Sequence, residues 1–183
     1  KKTHLIALIC SLFLASCNSE PSLQKYFVEK TENKDFIAVD ISPDLFNVEK
    51  TKLTPEQSEA LKSFDKMNIL AFKLDSSNVA QYDVERAKVT DILKNEKYQK
   101  LMSFGSGKDG VTVSFVGEEE NIEEFVVYAK SKETGFAVVR IIGDKMNPTH
   151  IMNMLSVMQQ SNMDLDQLKP LQEMMMQQKL ILG

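Results

Sequence analysis

Val111-Thr112-Val113-Ser114-Phe115-Val116-Gly117 sets an apolar residue at every second position and closes on a glycine. Such alternation is the mark of a β-strand. Val111, Val113 and Phe115 fall on a dry face, Thr112 and Ser114 on a wet one. Outward from this stretch the same character continues. Residues 98–104 precede it as a β-type run, and residues 124–130 and 136–142 follow it. The separators are Gly105-Ser106-Gly107-Lys108-Asp109-Gly110, then Gly117-Glu118-Glu119-Glu120-Asn121, then Lys132-Glu133-Thr134-Gly135. Short glycine-bearing turns between β-type runs predict an antiparallel meander of four strands.

Upstream the elements alternate. Leu23, Phe27 and Val28 suggest a short helix. Phe36-Ile37-Ala38-Val39-Asp40-Ile41 is a compact strand, stopped by Ser42-Pro43, with a helical turn at Leu45-Phe46. Thr54-Pro55-Glu56-Gln57 carries a helix start: Thr54 can cap, Pro55 suits the first turn and Gln57 completes a capping box. Ala60, Leu61, Phe64 and Met67 then lie on one helical face. Ile69 to Leu74 reads as a buried strand, and residues 83–97 as a helix with Val89, Ile92 and Leu93 as its stripe.

Downstream, Asn147-Pro148 opens a helix with Ile151, Met154, Leu155 and Met158 on one side. From Gln159 the chain is rich in Gln and Met, Asp164 can cap another short helix, and Pro170 breaks or restarts it. The expected fold is α+β: a two-layer sandwich of helices on a largely antiparallel sheet, with a C-terminal four-strand meander followed by a helix. The expected organisation is a leader at 1–16, a tether at 17–22, one domain at 23–160 and a Met/Gln-rich helical extension at 161–183.

The N-terminal stretch is of another kind. Lys1 and Lys2 precede an apolar run from Leu5 to Leu14, and then come Ala15, Ser16 and Cys17. A run of ten residues is too short to span a bilayer, which takes about 20. Basic start, apolar core and Leu14-Ala15-Ser16-Cys17 together resemble a bacterial lipoprotein signal and its lipobox. The resemblance implies that a signal peptidase reads Leu14, Ala15 and Ser16, and that the sulfur of Cys17 carries diacylglycerol on an acylated N-terminus. Each buried methylene contributes roughly 0.8 kcal/mol, so two or more chains hold firmly. The residue after Cys17 is Asn18 rather than Asp, which resembles outer-membrane sorting.

Composition narrows the function classes. Lys1 and Lys2 leave with the leader, so 22 basic residues become 20 against 26 acidic, net −6. Only Arg86 and Arg140 supply guanidinium groups, and there is no Trp. Nucleic-acid surfaces need clustered Lys and Arg, so no nucleic-acid partner is expected. Cys10 leaves and Cys17 is consumed, so no thiol remains for disulfides, zinc or nucleophilic catalysis. The domain must fold on its apolar core; about 150 residues bury roughly 70% of their unfolded surface, which suffices.

The order of elements resembles an uncharacterised group of Bacteroidota-type lipoproteins, the domain-of-unknown-function family 4252. Carrying the resemblance are the lipobox, Leu23 to Phe27, the strand from Phe36 to Ile41, and Ser42-Pro43-Asp44-Leu45-Phe46. Tyr98-Gln99-Lys100-Leu101-Met102, the strand at 136–142 and Gly143-Asp144 complete it. The similarity covers roughly residues 23–158 and leaves out the Met-rich tail. It implies an α+β envelope lipoprotein, and no reaction.

Chemistry-bearing residues each have a plain reading. His150, the one histidine after the leader, could serve as a general base only with a partner; Asp144 is near in sequence. Its plain reading is a helix's first turn. Ser106-Gly107-Lys108 ends like a phosphate loop, but Met102 and Asp109 stand where that pattern needs Gly and Ser or Thr, so it reads as a hairpin. Glu118, Glu119, Glu120, Glu123 and Glu124 could attract a hard cation, yet match no calcium loop. Eight of ten methionines fall between Met146 and Met176; Met152, Met154 and the run Met174-Met175-Met176 could offer thioethers to Cu(I). Methionine is equally a core filler and a coating for adaptable surfaces.

The expected function is a lipid-anchored cell-envelope protein acting as a non-catalytic binding or interaction module. It would meet the membrane through its N-terminal lipid and another envelope protein through its domain, with no cofactor, no metal and no catalytic residue assigned. The alternatives are an envelope enzyme using a carboxylate or His150 in a cleft, and soft-metal binding through methionine.

Overall fold

A computed structural model describes residues 20–45, 52–107 and 109–160 of the chain. The lipobox residues Leu14, Ala15, Ser16 and Cys17 lie outside these residues, as do Phe46, Asp164, Pro170 and Met174 to Met176. The same holds for the side chains of Leu155 and Met158.

The first helix, α1, is Leu23–Lys30, capped by the Ser22 hydroxyl, which accepts from the Lys25 N–H at 3.4 Å. Strand β1 is Phe36–Ile41, and a 3-10 turn follows at Pro43–Leu45. Helix α2, Pro55–Lys62, starts on the expected capping box. The Gln57 N–H donates to Thr54 Oγ1 at 3.2 Å, and the Thr54 N–H donates back to Gln57 Oε1 at 3.0 Å.

Strand β2 is Phe64–Lys73, so Phe64 and Met67 are strand residues and not part of the helical face with Ala60 and Leu61. Spacing of three and four suits a helix, but pairing of β2 with β6 along its whole length overrides that local preference. Helix α3, Val79–Ile92, begins earlier than residue 83. Asn78 closes the turn before it, accepting from the Asp75 N–H and donating to the Lys73 carbonyl, both at 2.9 Å. The meander is β3 Gln99–Ser106, β4 Asp109–Glu118, β5 Asn121–Ser131 and β6 Gly135–Met146. Helix α4, Pro148–Gln160, closes the described chain.

The strands form one open sheet in the order β1-β2-β6-β5-β4-β3, and every neighbouring pair is antiparallel. Helices on this sheet make the α+β sandwich that the pattern implies, and they are shared between its faces. On one face, Leu23, Tyr26 and Phe27 of α1 and Tyr82, Val89 and Ile92 of α3 cover an aromatic core. Phe72 and Phe136 stack there with centroids 5.5 Å apart, and Phe36 meets Phe72 edge-on at 5.1 Å. Aromatic pairs of these geometries add about 0.5–1.5 kcal/mol beyond their burial. On the other face, Leu61 of α2 and Ile151, Met154 and Val157 of α4 join a second core. Ser114, expected on a wet face, is buried on the α1/α3 side.

Strand register lines the α2/α4 face with three rows. The upper row is Ile41, Met67, Ile141, Phe125 and Phe115, ending at Gln99. Next is Val39, Ile69, Val139, Val127, Val113 and Met102. The lower row is Ile37, Ala71, Ala137, Ala129, Val111 and Phe104. Both faces being apolar explains why β2 and β6 read as nearly continuous hydrophobic runs.

Candidate functional site

Helices α1 and α3 lie side by side on the aromatic face and leave a groove of about 370 Å³ between them. Ser22 holds the entry of α1, so the chain arriving from the N-terminus passes along one wall at Pro21. Tyr26 and Ile92 supply the apolar lining. Around the rim stand two cations, Lys25 and Lys88, and two anions, Glu29 and Asp91.

Beside the groove sits a buried ionic cluster. Residues Tyr82, Glu85, Val89 and Ile92 form the inward stripe of α3, so a carboxylate occupies a core position. The Glu85 side chain is 3% exposed. It accepts from the Tyr26 hydroxyl at 2.8 Å, from Lys88 Nζ at 3.0 Å and from Lys30 Nζ at 3.1 Å. Lys30 also reaches Glu29 at 2.8 Å, and its ammonium lies 5.8 Å from the Tyr26 ring centre.

The electrostatics follow from this packing. Burial alone would raise the Glu85 pKa, but bonds from Lys88, Tyr26 and Lys30 outweigh it and hold the carboxyl below its ordinary range. For Lys30, burial pulls the pKa down while Glu29 and Glu85 together push it above the ordinary value. Burial, reinforced by Glu85 as acceptor, drives the Tyr26 phenol far above its ordinary value. A carboxylate with three donors and a depressed pKa is a saturated anion. It serves as a clamp between α1 and α3 and is poorly suited to moving protons.

A second buried charge lies on the same face. Arg140 Nε donates to Glu124 Oε1 at 2.6 Å, Nη1 donates to Gln24 Oε1 at 2.7 Å, and the guanidinium lies 5.4 Å from the Phe27 ring centre. Arg140 thus pins α1 to β5 and β6.

The residues singled out in the sequence are not brought together. His150 lies in the first turn of α4; its backbone N–H donates to Asn147 Oδ1 at 2.9 Å, while its buried Nδ1 has no partner among the described residues. Asp144 is exposed and makes its backbone bond to Ser63. Gly107 turns the β3–β4 hairpin, accepting from Lys130 Nζ at 2.8 Å. Lys108 lies outside the described residues. Glu119 and Glu120 are exposed in the β4–β5 turn, while Glu124 pairs with Arg140. Among the described residues no three His, Cys, Asp or Glu side chains gather as a metal site. Met152 and Met154 point opposite ways, at 67% and 1% exposure, so one thioether cannot join the other at an ion.

Glu85, Lys30 and Arg140 carry no motif. Their signal is position: a charge on the inward stripe of α3, another inside the apolar run of β6, and a lysine one turn after Tyr26 in α1.

A family model described as Domain of unknown function (DUF4252) matches residues 26–154. The chain belongs to this family. No curated protein and no solved structure matches the chain. The DUF4252 span runs from Tyr26 in α1 to Met154 in α4 and takes in the whole sheet, the Glu85 cluster and Arg140. It stops short of the Met-rich tail. Among the described residues of this DUF4252 protein, no helix is long and apolar enough to cross a membrane.

Proposed function

We propose that this DUF4252 protein is a lipid-anchored envelope protein whose domain binds a membrane-proximal polypeptide in the α1–α3 groove. Leu14-Ala15-Ser16-Cys17 supports the anchor, and placement on the outer membrane follows from Asn18 by the same resemblance. The observation that carries the binding role is the groove itself, at the point where the tether enters the domain. Pro21 lies four positions after Cys17, a reach of about 14 Å when extended. A lipid on Cys17 would therefore hold the groove close to the membrane surface.

The groove's volume is in the range of small-ligand and side-chain pockets. Its apolar lining suits one or two hydrophobic side chains. The rim carries both charge signs, Lys25 and Lys88 with Glu29 and Asp91. Mixed charge complements a polypeptide better than a uniformly anionic lipid surface.

Two measurements test the reading. Wild type should take up labelled palmitate and sediment with membranes, and Cys17→Ala should do neither; equal labelling of both removes the anchor. In pull-downs from solubilised envelopes, wild type should recover a defined partner, and Lys25→Glu with Asp91→Lys should lower recovery about tenfold. Equal recovery by both forms, or binding of Cys17→Ala to protein-free vesicles, overturns the binding role.

A further inference from the structure

We propose that residues 161–183 of this same chain dock across the middle and lower rows of the α2/α4 sheet face. The surface comes first. The upper row is buried from Ile41 to Phe115. Below it the cover thins: in the next two rows only Val39 and Ala71 are buried, and the β3 ends stand open, with Met102 43% and Phe104 62% exposed. Twelve apolar residues in register across six strands make a continuous hydrophobic band, and monomers rarely leave such a band open.

The occupant follows from connectivity. Helix α4 already lies on this face through Met154 and Val157, and residue 161 follows its last residue directly. A segment tethered to the same sheet face as its docking site has a high effective concentration there and outcompetes a free partner of equal affinity.

Length and chemistry agree. Six strands about 4.8 Å apart make a band roughly 24 Å wide, which a helix of about 16 residues would cross. The tail has 23 residues, ten of them Leu, Ile or Met. Leu171, Met174, Met175 and Leu182 recur in the sequence at helical spacing, with Glu173 off that stripe. Methionine, unbranched and polarisable, fits a shallow band of Ala and Val. This assignment is independent of the groove reading: it makes the tail part of the fold and leaves α1–α3 for the partner.

The test uses the full chain expressed in its envelope, with Phe104→p-benzoylphenylalanine, a larger photoreactive aromatic that the exposed position admits. Val84, exposed on α3, carries the same probe as control. After illumination, peptide mass spectrometry on mixed light- and heavy-isotope protein should find position 104 joined to residues 161–183 of the same copy, and position 84 not. A link to a second copy, a link only to another polypeptide or to lipid, or no link to the tail overturns the proposal. A chain ending at Gln160 should bind an apolar fluorophore several-fold more strongly than the full chain; equal binding also overturns it.

Discussion

At the scale of single residues, Glu85 is where α1 and α3 depend most on one side chain. Removing one member of a buried ionic set leaves the others without compensation, which costs about 3–5 kcal/mol. Glu85→Ala should therefore lower unfolding free energy by about that amount in urea titrations, since the Tyr26 hydroxyl loses its acceptor and Lys30 keeps only Glu29. Glu85→Gln, which still accepts from Tyr26, should cost less. Gly135 opens β6 with φ +112, and an added Cβ would run into the Phe72 carbonyl of β2. Gly135→Ala should therefore destabilise by about 2 kcal/mol or more, read by thermal melting. Neither role is visible as a motif. Glu85 looks like any surface glutamate until α3 is known to turn its Tyr82–Val89 stripe inward. Gly135 looks like any turn glycine until β2 is known to pass beside it.

At the scale of elements, local signals and tertiary pairing separate cleanly. The capping box of α2 was legible because its bonds join Thr54 and Gln57, three residues apart. Thr54→Ala should cost about 1 kcal/mol in denaturant melts. The end of that helix was not legible, because Phe64 and Met67 keep helical spacing and only distant partners make them strand: Gly143 for Phe64, and Ile41 and Ile141 for Met67. Helix α4 shows the same division among its methionines. Met154→Ala should cost about 2–5 kcal/mol as a buried truncation. Met152→Ala, on the open side, should change stability by no more than about 0.5 kcal/mol. Equal losses in calorimetry would mean that α4 is turned differently on the sheet.

At the scale of the whole molecule, two apolar cores flank one six-stranded sheet, and titration links them to pH. The depressed Glu85 carboxyl stabilises the fold above its unfolded pKa, and that contribution is lost as pH falls through the lower folded value, below about pH 4. Lys30 and Tyr26 are raised, so their contributions are complete below their unfolded values and fade as pH rises above about 10. Unfolding free energy against pH should show a plateau between these limits, with a shallower acid limb in Glu85→Gln. The amino-acid sequence by itself determined the strand meander, the capped helix, the α+β class and the family, because each is written in alternation, turn residues and caps within a few positions. Tertiary structure alone decided the strand order, the sharing of helices between two faces, and the burial of Glu85 and Arg140. Those depend on which distant segments pair, and a charge becomes a clamp only when the surfaces on both sides exclude water.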